Sequence, residues 1–129
     1  MRIKEIELNN FRNIKNMSIY PDENTNIIYG NNAQGKTNLL ESIWLFTGGR
    51  SFRGAKDSDL IRFSEDKADL KINFDASKRE QIAKIEITKN SKNLKLNGVD
   101  RGRTSAMIGK FCSVIFSPVH LSLIKDGPN

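Results

Sequence analysis

The stretch Asn26–Trp44, NIIYGNNAQGKTNLLESIW, decides the architecture. A short apolar run, Ile27-Ile28-Tyr29, enters a loop with two glycines, and Lys36-Thr37 then leads into a helical pattern. The eight residues Gly30-Asn31-Asn32-Ala33-Gln34-Gly35-Lys36-Thr37 fit G-x-x-x-x-G-K-[ST], the phosphate-binding loop. Several backbone N–H groups must point inward around a phosphate, and only a tightly curled backbone allows this. Gly30 and Gly35 supply that freedom and leave no Cβ in the path of the phosphate oxygens. Lys36 is placed to reach the β- and γ-phosphates, and the Thr37 hydroxyl to ligate Mg²⁺. The helix that opens here turns its unsatisfied N–H groups toward the anion. Leu39, Leu40, Ile43, Trp44 and Thr47 recur at helical spacing, which puts Trp44 in the core and Glu41 on the opposite, polar side. Gly48-Gly49 reads as the C-terminal stop. The alternative is a Gly/Lys turn with no ligand.

Outward from this motif, the chain reads as one modest domain. It has 129 residues, 37% hydrophobic and 28% charged, enough for a real core. No segment has the apolar length of a membrane span, and the charges within MRIKEIELNN do not fit a signal peptide. The single cysteine, Cys112, excludes an internal disulfide framework, and one His leaves no zinc site, so cytoplasmic location is expected. Lys plus Arg outnumber Asp plus Glu by 21 to 15, for a net charge of +6. A basic domain favours polyanions, and a nucleotide accounts for only part of the excess.

Upstream, RIKEIELNNF alternates Ile6 and Leu8 with Glu5 and Glu7, which predicts a strand, and NMSIY predicts a second that ends at Pro21. From about Ala68 the texture changes. DLKINFD, AKIEITK and NLKLNG alternate apolar and polar residues, the pattern of an antiparallel meander with one wet face, and Asn97-Gly98 marks a tight turn. FCSVIF reads as a more buried strand, and VHLSLIKD after Pro118 as a short helix. The regions are then a phosphate-loop part at 1–66, an antiparallel lobe at about 67–110, and a strand with the segment that follows it at 111–129.

Half of a hydrolytic site is missing. Phosphoryl transfer to water needs a second carboxylate near Mg²⁺ and a group that positions water. No apolar strand here closes on Asp or Glu in the required way, and no guanine-reading N-K-x-D tetrad occurs. The chain is expected to be part of a longer protein or to borrow the remainder.

ELNNFRNIKN, GNNAQGKTNLLESIWLFTGGRSFRG and FSPVHLSLIKDGP together resemble the RecF recombination-mediator family, relatives of the SMC and ABC-type ATPases. The resemblance covers nearly the whole chain but only the family's N-terminal portion. It implies an α/β fold, an ABC-ATPase-like P-loop head with a mixed sheet around the P-loop helix and an antiparallel β meander lobe. It also implies ATP and Mg²⁺ as ligands, a slow ATPase, and a homodimer that closes around nucleotide. DNA at gaps or single-strand/double-strand junctions and RecO- and RecR-type proteins are the implied partners, with recombinase loading as the outcome. Residue by residue, Gly30 to Thr37 match the ATP loop, and Arg12 and Asn13 match an F-R-N segment beside the nucleotide. Val119-His120 depart from the family's acidic residue after Ser-Pro; the resemblance makes 111–129 the strand and sensing-loop region, usually with Gln, and since no Gln occurs there no sensing residue is assigned.

Other features have two readings each. Arg50, Arg53 and Lys56 in GGRSFRGAK, with Arg62 beyond, form a basic loop suited to DNA phosphates, or else a solvated loop whose arginines pair with Asp57 and Asp59. Lys84, Lys89, Lys92 and Lys95 read as solubilising charges on the meander rather than DNA contacts. Phe11, Phe52 and Phe63 read as packing residues before base-stacking ones, and Cys112 as an inert core thiol. His120 reads as exposed or capping. A small-molecule or nucleotide kinase is the alternative function, and it would turn over without a partner.

Overall fold

The computed structural model describes residues 2–21, 33–51, 53–76 and 78–111. The expected strand at 27–29, residues Gly30 to Asn32 of the loop, Phe52, Cys112 and the segment through His120 lie outside them.

Alternation in the sequence becomes one sheet. Strands β1 (Arg2–Phe11), β2 (Ile14–Ile19), β3 (Lys67–Ala76), β4 (Arg79–Thr88), β5 (Lys92–Leu96) and β6 (Val99–Gly102) lie in the order β2-β1-β3-β4-β5-β6. Every described pairing is antiparallel. Register follows from matching the apolar residues across strands. Leu8 faces Leu70, which faces Ile85, which faces Leu94; Ile6 faces Ile72, then Ala83, then Leu96. Because side chains alternate with period two, a slip of one residue would turn this whole set into water, so burial fixes the register.

Two findings go beyond the sequence pattern. The β1–β3 pairing places residues on either side of the phosphate-loop region in a single sheet. And Asn97 (φ 52°) and Gly98 (φ 82°) both hold left-handed backbone, the turn geometry expected there, but they lead into β6, which the exposed sequence VDRG did not announce.

One helix, α1 (Ala33–Leu45), covers the apolar face. Its Leu39 and Leu45, with Phe46 just beyond, join Leu8, Phe11, Leu70, Ile72, Phe74 and Ile85 in one buried cluster. Phe111 closes the layer, edge-on to Phe46 at 6.5 Å and to Phe74 at 5.2 Å between ring centroids. Each such fully buried side chain contributes about 1.5–3 kcal/mol. The helix tightens at its end, with Phe46 N–H bonding to the Ile43 carbonyl and Thr47 N–H to that of Trp44. Gly48 then takes φ 92°, and a Cβ there would stand 2.8 Å from Ile108 Cγ1. Glycine is required twice over at this stop, for its dihedral and for the close approach.

Candidate functional site: a buried carboxylate beside the phosphate-loop helix

α1 begins inside the loop motif and carries Lys36 and Thr37 in its opening turns. Asn38, Glu41, Ser42 and Leu45 then share one face, and all four are buried. This corrects the sequence reading of the helix. Glu41 is not on a wet side; its side chain is 0% exposed. Trp44, expected in the core, is half-exposed at the helix end, and its Nε1–H donates to the Arg50 carbonyl at 2.9 Å.

A buried carboxylate must be paired and hydrogen-bonded, and Glu41 collects its partners from two distant segments. The first is the β1–β2 hairpin. Phe11 pairs with Ile14, leaving Arg12-Asn13 as a two-residue turn, and Arg12 holds φ 56°. An arginine in left-handed backbone costs roughly 1–2 kcal/mol, and glycine is the usual occupant. Here the conformation is fixed from both ends. The Arg12 N–H donates to the Leu60 carbonyl at 2.8 Å, beside a Phe11–Ile61 bridge. The guanidinium grips Glu41 with both prongs, Nε to Oε1 at 2.9 Å and Nη2 to Oε2 at 3.0 Å. Such strain, held by over-determined surroundings, is characteristic of functional sites.

The second segment is the loop after α1. Arg53 Nη2 donates to Glu41 Oε1 at 3.1 Å and to Asn38 Oδ1 at 2.5 Å. Ser51 Oγ donates to Glu41 Oε2, and accepts from the Arg53 backbone N–H at 3.1 Å. Asn38 completes the circuit by donating Nδ2 to Asn13 Oδ1 at 2.7 Å. Partial burial lowers the Arg53 pKa below its ordinary value; Glu41 opposes the shift and Arg12 adds to it. The group stays cationic at neutral pH.

The expected site residues divide accordingly. Arg12 and Asn13 are brought against the helix that carries Lys36 and Thr37. Arg53 is drawn inward, with its side chain 27% exposed, whereas Arg50 and Lys56 are exposed and Arg62 is half-buried. The anticipated pairing of the loop arginines with Asp57 and Asp59 does not form. Asp57 instead meets Lys92 at 3.3 Å, and Lys92 is only 13% exposed, so this lysine ties β5 to the Asp57–Leu60 turn rather than standing free in solvent. Phe63, expected to pack, is 92% exposed. Glu41, Asn38 and Ser51 were missed by sequence reasoning. The available signal was that Glu41 lies one helical turn beyond Thr37 and Asn38, on the face the ligand-binding end presents.

Arg12, Asn13, Asn38, Arg53, Arg62 and Phe63 contribute to the wall of an open cleft of about 670 Å³. That volume is within the range of small-molecule sites. Its wall carries both signs of charge, with guanidinium and amide donors beside an exposed aromatic ring and the carboxylates of Asp59 and Glu65. No helix among the described residues is long and apolar enough to cross a membrane.

Comparison with known proteins places the chain in a family. Residues 2–122 match the RecF/RecN/SMC N terminal domain model. The DNA replication and repair protein RecF of Thermoanaerobacter sp. (strain X514) is 44% identical over all of this chain. RecF of Agathobacter rectalis is 41% identical over 99% of it. In both cases the chain spans 36% of the relative's length. Two solved structures, described as the recombination mediator protein RecF-ATP and RecF-ATPrS in the RecFOR pathway, each superpose with a TM-score of 0.87 at 42% identity. They match 98% of this chain and 35% and 34% of their own, respectively. The fold is therefore that of an ABC-ATPase-like head, and the chain belongs to the RecF/RecN/SMC N-terminal domain family, as a RecF-type N-terminal portion.

Proposed function

We propose that this chain is the ATP-binding portion of a RecF-type DNA replication and repair protein. The amides of Gly30 to Thr37 and the Lys36 ammonium hold the polyphosphate, the Thr37 hydroxyl is a ligand for Mg²⁺, and Arg12 and Asn13 flank the nucleotide. Bound Mg²⁺ supplies charge neutralisation between the phosphates. One observation carries the reading: the strained Arg12-Asn13 turn is fastened through Glu41 and Asn38 to the helix that begins in the phosphate-binding motif. The ATP-bound RecF relative supports the choice of nucleotide.

For the whole protein, the proposal includes slow hydrolysis, nucleotide-dependent homodimerisation and a cytoplasmic setting. Its DNA partner is a gap or single-strand/double-strand junction, and RecO- and RecR-type proteins join it in recombinase loading. Arg50, Lys56 and Arg62 are the proposed phosphate contacts to DNA, and that binding should weaken steeply with salt. Arg53 was grouped with them by sequence; its inward ion pair sets it apart.

Calorimetric titration of the intact protein with MgATP tests the reading. The wild type should bind, and Lys36→Ala should lose about tenfold or more in affinity while keeping its fold, since a charge-assisted phosphate contact is removed. Equal affinity in both would contradict the site. Rapid phosphoryl transfer by the isolated chain would point to a kinase instead.

A further inference from the structure

The β5–β6 edge of the sheet takes no part in the site above, and its charge is lopsided. Residues 92–111 hold five cations, Lys92, Lys95, Arg101, Arg103 and Lys110, against one acid, Asp100, so +4 of the chain's +6 lies in these twenty residues. On β1 and β3 the lysines are neutralised where they stand: Lys4 meets Glu80, Lys67 meets Asp69 and Glu86, and Lys71 meets Glu5 and Glu7. Of the five cations at the edge, only Lys92 is spent in this way, on Asp57. Lys95, Arg101, Arg103 and Lys110 are exposed and form no ion pair among the described residues. The acids of β4 and β6 do not offset them all. Asp100 stands opposite Lys95 and counters that one charge, while Glu80 and Glu86 are held by Lys4 at 3.1 Å and Lys67 at 3.6 Å.

Apolar side chains stand among these cations. Val99 and Ile108, both branched aliphatics, are 52% and 69% exposed. The short turn Thr104–Met107 between them packs against β5 and β6 with Thr104 and Met107 buried, and so brings Ile108 to the same edge. Main-chain pairing is blunted here. β6 is four residues long, its register against β5 shifts between Leu94 and Lys95, and the Gly102 N–H already donates to Asp100 Oδ1 at 2.8 Å. Short, bulged, charged edges resist addition of another strand. What the edge offers a partner is its side chains.

We propose that this edge docks an acidic segment of a partner protein, with Arg101, Arg103 and Lys110 pairing its carboxylates and Val99 and Ile108 seating an apolar side chain. Two observations choose the occupant. Unpaired cations call for an anion, which a DNA backbone would also supply, but phosphates give Val99 and Ile108 nothing to be buried against. Protein interfaces combine an apolar centre with arginine and a charged rim. A second copy of the same edge fits poorly, because like charges would be brought together. The inference makes no use of the nucleotide site and stands or falls separately from it.

Fluorescence anisotropy on the intact protein tests this with a labelled synthetic peptide in which Asp-Glu pairs alternate with Leu. The wild type should bind it, more weakly as salt rises. Arg101→Glu/Arg103→Glu should lose about tenfold or more in affinity. Val99→Ser/Ile108→Ser should weaken binding as well, and so should a peptide with Ser in place of every Leu. All four positions are exposed, so melting temperature and MgATP affinity should stay at wild-type values. Should the arginine variant melt early, Lys110→Glu carries the charge test and should also bind the peptide less tightly. Equal peptide affinity in wild type and Arg101→Glu/Arg103→Glu overturns the inference. No binding by the wild type does so too, as does equal binding of the Leu and Ser peptides, which would make the edge a general anion surface. An arginine variant that loses duplex DNA and keeps the peptide would assign the edge to DNA instead. Self-association of the wild type that Val99→Ser/Ile108→Ser abolishes would assign it to a second copy, and either result refutes the proposal.

Discussion

The meander β3–β5 and the turn-helix site are built on opposite rules. In the meander, charged residues point to water and apolar ones to the core, and each strand states this in its own sequence: Ala68, Leu70, Ile72 and Phe74 are buried while Asp69 and Lys71 between them are not. In the site, polar residues are buried and their partners lie far along the chain. Arg12 meets Glu41 across 29 positions, and Asn13 meets Asn38 across 25. The first region is specified by a repeated local preference and tolerates exchange on its wet face. The second is specified by individual matches, each of which leaves a buried group stranded if lost.

That contrast can be broken most heavily in the core that both regions share. Phe74→Ala removes a fully buried ring stacked edge-on against Phe111 and should cost about 3–5 kcal/mol. Urea denaturation reads this directly, and a loss below about 1 kcal/mol would mean the layer repacks freely.

At the turn, the lost pairing should outweigh the strain relieved. Arg12→Gly relieves roughly 1–2 kcal/mol of left-handed strain, while taking one partner from the fully buried Glu41 costs about 3–5 kcal/mol. The expected result is a lower melting temperature together with a clear loss of MgATP affinity. A large gain in stability with unaltered affinity would mark the turn as a mere defect.

On the wet face the sign reverses. Lys84 stands directly opposite Lys71 on one side and Lys95 on the other. Like charges in register repel, so Lys84→Glu should stabilise the sheet by about 0.2–1 kcal/mol at low ionic strength and less at high salt. Destabilisation of similar size would show that this face makes contacts the register does not explain.

The smallest effect concerns acid. A hydrogen bond from Lys4, then one from Asn73, holds the Glu80 carboxyl below its ordinary pKa. A depressed folded-state pKa means the contribution is present above the unfolded value, near 4.5, and disappears as pH falls through the folded one. Glu80→Gln should therefore lower stability slightly at neutral pH, where the contribution is present, and converge on the wild type as pH falls through the folded value, which flattens the acid limb. An unchanged acid limb, followed by thermal melts across that range, would contradict the pairing.

How much of this was legible in the sequence follows from the same contrast. Strands β1 to β5, the Asn97-Gly98 turn and the helix ending at Gly48 are written in local periodicity and in glycine's backbone freedom. The phosphate-loop motif is local too. Glu41 was misassigned because helical spacing of apolar residues names only the hydrophobic stripe, and a buried acid looks identical to a solvated one until its arginines are placed. Arg53 failed for the same reason: Asp57 and Asp59 are nearer in sequence, yet the β-sheet gives Asp57 to Lys92. Phe63 and Trp44 show the converse: Phe63 was expected to pack and Trp44 was placed in the core by helical spacing, but the fold leaves them largely and partly in the open.

The most direct test of the central claim is a crystal structure of the intact protein with a slowly hydrolysed ATP analogue and Mg²⁺. The account predicts phosphate oxygens within hydrogen-bonding reach of Lys36, with the Arg12-Asn13 turn beside the nucleotide and Arg12 still anchored on Glu41. Nucleotide bound away from the Arg12-Asn13 turn, with that cluster facing no ligand, would contradict it.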